Sequence, residues 1–253
     1  MLRIATRLVT AAAVAGAVGS CGGSDDGQTV LVLAASSLTD AFTGIEVAFE
    51  ADNPGVDVEM SYGGSSTLRV QVEEGAPAAV VAFADVAPME PLIAAELVGQ
   101  PSTFAANSMI LATPIDNPGS VSALDDLADP DLLVGVCAPQ VPCGRYALDV
   151  LAQAGVDASI DTEEPDVRAL AAKVATAELD AGLIYVTDAA ARPGEIAVIA
   201  LPDTVDVVIE YPIALVTDDS NAAADSADAR SFVDFVLSTA GREILTDAGF
   251  ETP

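Results

Sequence analysis

The chain has 253 residues, of which 51% are hydrophobic and only 4% aromatic, and its formal net charge is −30. This length suffices for one large or two medium domains, with a core built mostly from aliphatic side chains. Nucleic acid and anionic lipid headgroups are poor partners for such an acidic chain, because like charges repel.

The N-terminal residues have the pattern of an export signal. A basic start with two arginines precedes a short apolar run at 8–18 that ends in small residues. The sequence VGSC, which ends at Cys21, resembles the lipobox of bacterial lipoproteins, in which the cysteine carries the lipid. The alternative is an ordinary cleavage site followed by a chance cysteine. We expect a signal peptide at 1–20, a lipidated tether at 21–28 and a location at the outer face of the cytoplasmic membrane, with the lipid as the only membrane contact.

From residue 29 onwards, short apolar runs alternate with helical periods, which predicts an α/β fold. Strands are predicted at 30–34, 56–60, 80–84, 108–114, 132–136, 181–185, 196–200, 205–209 and 211–216. Helices are predicted at 37–49, 68–74, 89–97, 146–154, 166–177 and over most of 229–250.

The stretch YGGSSTL at 62–68 has the composition of an anion-binding turn. A strand runs into it and a helix runs out, so free backbone amides and serine hydroxyls point toward one place. Taken alone, the same residues also fit a simple turn with a helix cap. Ser37, with Asp40 three residues later, similarly predicts a capping box.

The cysteines indicate an oxidised pair. Once Cys21 is lipidated, Cys137 and Cys143 remain, an even number in an oxidising compartment. A disulfide between them would close a small loop. Two free thiols or half of a metal site are the alternatives, and the absence of histidine from the whole chain argues against the metal.

Nine stretches in the same order along the chain resemble the molybdate-binding proteins of ABC importers. They are AASSLTDAF at 34–42, YGGSSTL at 62–68, EEGAPA at 73–78, FAD at 83–85, VPCGRYAL at 141–148, PDVRAL at 165–170, LIYVTDA at 183–189, YPIALV at 211–216 and FVDFVLSTAGREILTDAGF at 232–250. They are distributed over almost everything after residue 29, and their joint occurrence is far more specific than any one of them.

This resemblance implies a type II periplasmic-binding-protein fold, with two lobes of mixed sheets flanked by helices and a ligand cleft between them. Lobe 1 would comprise 29–110 and 211–253, and lobe 2 would comprise 111–210. The implied partners are a small inorganic oxyanion and an ABC permease with its ATPase. The implied protein is a monomer without a cofactor and is not an enzyme.

The resemblance also implies a set of ligand-binding residues. Ser37 and Ser65 fall where the family uses serine hydroxyls and backbone amides. Cys143 stands where relatives commonly have alanine and use only the main-chain N–H, and Val167 matches another backbone donor. Tyr185 matches a tyrosine whose hydroxyl reaches the anion. The metal in this set would be the oxyanion itself, molybdate or tungstate.

A tetrahedral dianion presents only acceptors, so its site needs donors and tolerates no nearby carboxylate. Ala79 departs from the family, which usually has aspartate there, and this puts local packing rather than binding in doubt. An enzyme of the Ser–His type is excluded by the absence of histidine, and the only lysine, Lys173, lies outside any SxxK pattern. A binding protein for another oxyanion such as sulfate, or a surface lipoprotein without a transport role, stays open.

Overall fold

The structure is a computed structural model that describes residues 28–205, 207–217 and 226–253. The predicted signal peptide at 1–20, the lipidation site Cys21 and all but the last residue of the tether at 21–28 lie outside the described residues. Within the described ranges, no helix is both long and apolar enough to span a bilayer.

Strands and helices alternate along most of the chain. The strands are β1 (Gln28–Ala35), β2 (Val56–Gly63), β3 (Val80–Ala82), β4 (Ser102–Pro114), β5 (Val134–Cys137), β6 (Ile160–Glu164), β7 (Ala181–Tyr185), β8 (Ile196–Ile199) and β9 (Val208–Leu215). The α-helices are α1 (Thr39–Asp52), α2 (Ser65–Glu73), α3 (Met89–Ala94), α4 (Pro142–Ala154), α5 (Val167–Ala175), α6 (Val186–Ala190), α7 (Ala227–Leu237) and α8 (Thr239–Asp247). Short 3₁₀ helices cover Ser36–Leu38 and Leu124–Ala128.

The strands form two mixed sheets that share β4. The first sheet has the order β2-β1-β3-β9-β4, and the second has the order β4-β7-β5-β6, with β8 also paired to β4. Ser102 to Ser108 of β4 pair with β9, whereas Met109 to Pro114 pair with β7 and β8. The predicted α/β class with two mixed sheets is therefore confirmed.

Several elements differ from their predicted bounds. β4 begins at Ser102, six residues before the predicted strand, because the first sheet recruits the partly polar sequence STFAAN by pairing it with β9. The strands predicted at 205–209 and 211–216 form the single strand β9. β6 (IDTEE) was not predicted at all, since this polar strand lies at the edge of the second sheet and carries no apolar run.

Six of the eleven aromatic side chains form one continuous series of ring contacts. A series of ring contacts, with centroids 5.4–6.3 Å apart, runs from α1 and α7 to β9 and the end of β7. Its members, in order of contact, are Phe49, Phe232, Phe42, Phe104, Tyr211 and Tyr185. This packing fixes the two tyrosine rings where the two sheets meet.

Candidate functional site

A small cavity lies between the two sheets, at the carboxyl ends of strands from both. The loops after β1, β2 and β3 border it from one side, and the loops after β5, β6 and β7 border it from the other. It is lined by Ala35, Ser36, Ser37, Gly63, Gly64, Ser65, Ala84, Val141, Pro142, Cys143, Asp166, Val167 and Tyr185. The structure thus brings together all five predicted ligand residues, although they span 149 positions of sequence, from 37 to 185.

Three helices of nine or more residues begin at this cavity. α2 starts at Ser65, α4 at Pro142 and α5 at Val167. Amides in a first helical turn have no carbonyl partner within the helix, and each helix start carries about half a positive charge. Pro142 has no N–H, so Cys143 supplies the first available amide of α4. The amide ends of three helices therefore face one small space.

Ser65 is buried with its hydroxyl already engaged as an acceptor. The Ala84 amide donates to Ser65 Oγ over 3.0 Å. Because that N–H occupies a lone pair of the hydroxyl oxygen, the Ser65 proton remains available for a group in the cavity.

Ser37 does not cap a helix, and the predicted capping box is wrong. α1 begins at Thr39 after the 3₁₀ turn, and its N-terminal cap, Leu38, makes no side-chain hydrogen bond. Ser37 Oγ instead lies 2.9 Å from the Tyr211 hydroxyl, and Asp40 forms an ion pair with Arg168. A tertiary contact has replaced the local one that the sequence suggested.

Tyr185 ends β7 with its side chain buried and its hydroxyl beside the cavity. This hydroxyl has no hydrogen-bond partner among the described residues. Burial raises the pKa of Tyr185 well above its usual value, so the group stays protonated and can donate. A buried hydroxyl without a partner is costly unless something enters the cavity to accept its proton.

One carboxylate lies at the cavity, where a dianion site was expected to have none, and a second one is buried in the neighbouring helix α6. Asp166 lines it, and its Oδ1 accepts a hydrogen bond from the Ala169 amide over 3.0 Å, which caps α5. Asp188, in α6, is buried, and neither of its oxygens has a hydrogen-bond partner in the described chain. Burial raises the pKa of Asp188 to about 7, a change that nearby Arg168 opposes and Asp40 reinforces.

Polar contacts join the two sides of the cavity. On one flank, Asp85 forms an ion pair with Arg145 and accepts a hydrogen bond from the Tyr146 hydroxyl over 3.1 Å. On another, Ser66 Oγ donates to the Gln140 carbonyl over 2.5 Å. These contacts link the loop after β3 and the start of α2 to α4 and the loop before it, so the cleft is closed around the cavity.

The approach of the two sides is close enough to require glycine. A Cβ added to Gly64 would lie 2.9 Å from the Pro165 carbonyl oxygen and 3.1 Å from a methyl group of Val141. Any larger residue at 64 would push the second-sheet loops away from α2.

A disulfide joins Cys137, at the end of β5, to Cys143, in the first turn of α4. Their Cα atoms are 5.6 Å apart. The bridge holds the loop 138–142 and the start of α4 against the sheet. No group of three metal-binding side chains occurs within the described ranges, and no Lys or Arg lines the cavity.

Two buried residues next to the site were not predicted as part of it. Tyr211 contacts Ser37, and Asn107 Nδ2 lies 3.3 Å from the Tyr211 hydroxyl. Tyr211 falls within the YPIALV motif, which gave a signal for the family but not for this contact. Asn107 lies in the half of β4 that was not predicted to be a strand, and no pattern in the sequence singles it out.

Most of the chain matches one known protein family. The family of bacterial extracellular solute-binding proteins matches residues 30–251. This range includes every residue that lines the cavity.

Curated relatives match over nearly their whole length. A molybdate-binding protein ModA from Mycobacterium tuberculosis is 38% identical over 261 aligned positions, which cover 99% of this chain and 98% of the relative. The protein of the same name from Escherichia coli K12 is 31% identical, with 99% of both chains covered.

Solved structures share the fold at lower identity. The periplasmic molybdate-binding protein of Azotobacter vinelandii gives a TM-score of 0.76 at 23% identity, over 88% of this chain and 99% of that one. The sulfate-binding protein SubI of Mycobacterium tuberculosis gives 0.77 at 19% identity, over 89% and 87%. These two proteins are named for different oxyanions, so the fold alone does not select the ligand.

Proposed function

The chain belongs to the family of bacterial extracellular solute-binding proteins, and on that premise we propose that it captures molybdate, and the similar tungstate, for an ABC importer. The observation that carries the proposal is the cavity, where three helix starts and three hydroxyls converge without a lysine or arginine. Such a site suits a small dianion that only accepts hydrogen bonds.

The donors have defined roles in this proposal. Ser37 and Ser65 give hydroxyl and amide protons, Cys143 and Val167 give amide protons, and Tyr185 gives its phenolic proton. A hydrogen bond to a charged group contributes about 1.5–3 kcal/mol, so a set of this size supports sub-micromolar affinity after ordering costs are subtracted.

Neutral donors also favour release. A lysine or arginine would add a full positive charge that attracts the anion even at a distance. Amide and hydroxyl dipoles attract it only at short range, so this attraction is lost when the lobes separate. Discrimination against the smaller sulfate follows from cavity size, because the donors are fixed by three helices and two strand ends.

The relatives support molybdate rather than sulfate. The curated proteins at 38% and 31% identity are both named for molybdate, whereas the sulfate-binding structure is 19% identical and shares only the fold. The recognition of a molybdate-binding resemblance from nine motifs is confirmed by these matches.

The proposal includes the rest of the assembly. The lobes are 29–110 with 211–253, and 111–210, and they close on the ligand. The protein acts outside the cytoplasm as a monomer that is anchored through lipidated Cys21, has no cofactor and no enzymatic activity, and delivers its ligand to a permease driven by a separate ATPase.

Isothermal titration of the purified protein with molybdate, tungstate, sulfate and phosphate tests this function. We expect sub-micromolar binding of molybdate and tungstate and at least a hundredfold weaker binding of the other two. If the protein bound sulfate but not molybdate, the proposed ligand would be wrong. If it bound none of the four anions, the proposed function would be rejected.

A further inference from the structure

Four buried side chains form a continuous hydrogen-bonded series behind the cavity. Asn107 Nδ2 donates to Thr187 Oγ1 over 2.8 Å and to the Tyr211 hydroxyl over 3.3 Å, and that hydroxyl lies 2.9 Å from Ser37 Oγ. The exposed fractions of Ser37, Asn107 and Thr187 are 6%, 3% and 4%, and Tyr211 is fully buried. Only Ser37 also lines the cavity.

The direction of this series is fixed at its centre. The Ser108 amide, which can only donate, lies 2.9 Å from Asn107 Oδ1. The oxygen of the Asn107 side chain is thereby identified, and its nitrogen must donate to both remaining neighbours. The Tyr211 oxygen therefore accepts from Asn107, and Ser37 is the remaining described partner to which the buried Tyr211 hydroxyl can donate.

Ser37 is left with a free proton as a consequence. With Tyr211 as the donor of their shared hydrogen bond, the Ser37 hydroxyl hydrogen is not used in that bond and can point into the cavity. Ser65 has the same arrangement by a different route, since its oxygen accepts from the Ala84 amide. At both serines, which lie on the first-sheet side of the cavity, a protein donor thus occupies the hydroxyl oxygen.

We propose that Asn107 and Tyr211 are positioning residues that hold Ser37 as a hydrogen-bond donor toward the bound oxyanion. The inference rests on the proposed oxyanion-binding function and deepens it. If the series ran the other way, Ser37 would donate its hydrogen bond to Tyr211. Only the lone pairs of its oxygen would then face the cavity, and they would repel an anion.

The location of the two residues adds a second consequence. Asn107 lies next to the point where β4 passes from the first sheet to the second, and Tyr211 lies on β9, beside it. Thr187, at the far end, belongs to α6 on the second-sheet side. The series therefore spans both sheets, and the donor state of Ser37 depends on their relative placement.

A double-mutant cycle with Ser37→Ala and Tyr211→Phe tests the proposal. Molybdate affinity is measured by titration for the wild type, both single variants and the double variant. We expect Tyr211→Phe alone to weaken binding about five- to tenfold, and to change it less than twofold when Ser37 is already alanine. A general packing defect would instead weaken binding equally in both backgrounds.

Two further variants make the result decisive. Tyr62→Phe is the matched control, because it removes a half-buried hydroxyl on the first-sheet side that lies 3.4 Å from the Thr39 carbonyl and outside the series. Asn107→Leu removes the donor to Tyr211 and should also lose its effect in the Ser37→Ala background. It provides the same test if Tyr211→Phe does not fold, as judged by circular dichroism.

The outcomes separate this inference from the proposed function. The cycle is run with whichever of molybdate, tungstate, sulfate and phosphate the wild type binds most tightly, so a wrong ligand leaves the test intact. Equal effects of Tyr211→Phe with and without Ser37, or no effect at all, would overturn the inference. A wild type that binds none of the four would reject both.

Discussion

Single residues explain how a chain with a net charge of −30 can hold an anion. The proposed donors act at hydrogen-bond distance, whereas exposed surface charges are screened beyond about 10 Å at 0.1 M salt. The Ser65 oxygen accepts a hydrogen bond from the Ala84 amide, the Ser37 hydroxyl is hydrogen-bonded to Tyr211, and the Tyr185 hydroxyl has no partner in the described part of the chain. Local donors therefore decide the affinity.

Replacing Ser65 by alanine should weaken molybdate binding at least tenfold. The change removes one charge-assisted hydrogen bond and leaves the Ala84 amide without its acceptor. Titration measures the affinity, and Ser231→Ala is the matched control, since that exposed serine bonds the Ala227 carbonyl on α7. An unchanged affinity in Ser65→Ala would remove this residue from the site.

Asp188 predicts a pH dependence of stability. Its pKa is raised by burial from 3.8 to about 7, so the folded state binds a proton that the unfolded state releases. The contribution of the protonated Asp188 carboxyl to the stability of the fold is complete below about pH 4, and it is lost as the pH rises through 7. The Asp188→Asn variant has no carboxyl group to ionise. Its free energy of unfolding, relative to that of the wild type, should therefore be a few kcal/mol higher at pH 8 than at pH 5.

Urea unfolding at both pH values measures the Asp188 effect. Asp116→Asn, at an exposed turn, is the control for removal of one acid. If the difference in stability between Asp188→Asn and the wild type is the same at pH 5 and pH 8, the carboxyl does not titrate in this range.

The residues of the site could be predicted from the sequence, but the contacts between them could not. Five of the cavity residues were predicted from the resemblance to molybdate-binding proteins, because each falls within a stretch that resembles that family. The contact between Ser37 and Tyr211 was not, since 174 residues separate them. Asp166 at the cavity was also unexpected, because its role as a cap of α5 hides its proximity to the site.

At the scale of elements, the cavity depends on where helices start. α4 is the helix whose start is most tightly held, because the disulfide ties its first turn to the end of β5. Gly144 permits this approach, since an added Cβ would lie 2.4 Å from the Cys137 carbonyl oxygen. The disulfide should therefore matter for binding as well as for stability.

Replacing both Cys137 and Cys143 by serine should lower the free energy of unfolding by about 2 kcal/mol, from the loop-closure entropy that the bridge removes. Molybdate affinity should fall several-fold, because the Cys143 amide is no longer held in place. Thermal unfolding and titration measure the two effects. A thiol count on the unreduced wild type provides the control, and two free thiols at these positions would contradict the account.

Elements were predictable where apolar periodicity was strong, as for β1, β7 and α4. They were missed where pairing with a neighbour, rather than composition, forms the strand. The first half of β4 is stabilised by β9, and the polar strand β6 is stabilised by β5. The capping box at Ser37 failed for a related reason, because the hydroxyl found a buried partner on another element.

At the scale of the whole molecule, the closed arrangement is held by contacts between the two sides of the cavity. The Asp85–Arg145 pair is the most consequential of them, because the Asp85 side chain is only 3% exposed while that of Arg145 is 42% exposed. Opening the cleft would give Asp85 access to water. Loss of its partner therefore disfavours the closed state more than the open one.

Replacing Arg145 by methionine should raise the molybdate dissociation rate about tenfold, because the closed state then buries an unpaired carboxylate. Stopped-flow displacement measures this rate. Arg69→Met is the matched control, since Arg69 pairs with Glu73 within α2 and does not cross the cleft. Equal rates in the two variants would mean that the Asp85–Arg145 pair does not hold the lobes closed.

Anomalous diffraction can show whether a tetrahedral oxyanion binds between Ser37, Ser65 and Tyr185. Crystals of the protein grown with tungstate would be measured at a tungsten absorption edge. We expect one dominant tungsten peak in the cavity, with tungstate oxygens within hydrogen-bond distance of the three hydroxyls and of the Cys143 and Val167 amides. A dominant peak elsewhere on the protein, or no peak, would mean that the oxyanion does not bind at these residues.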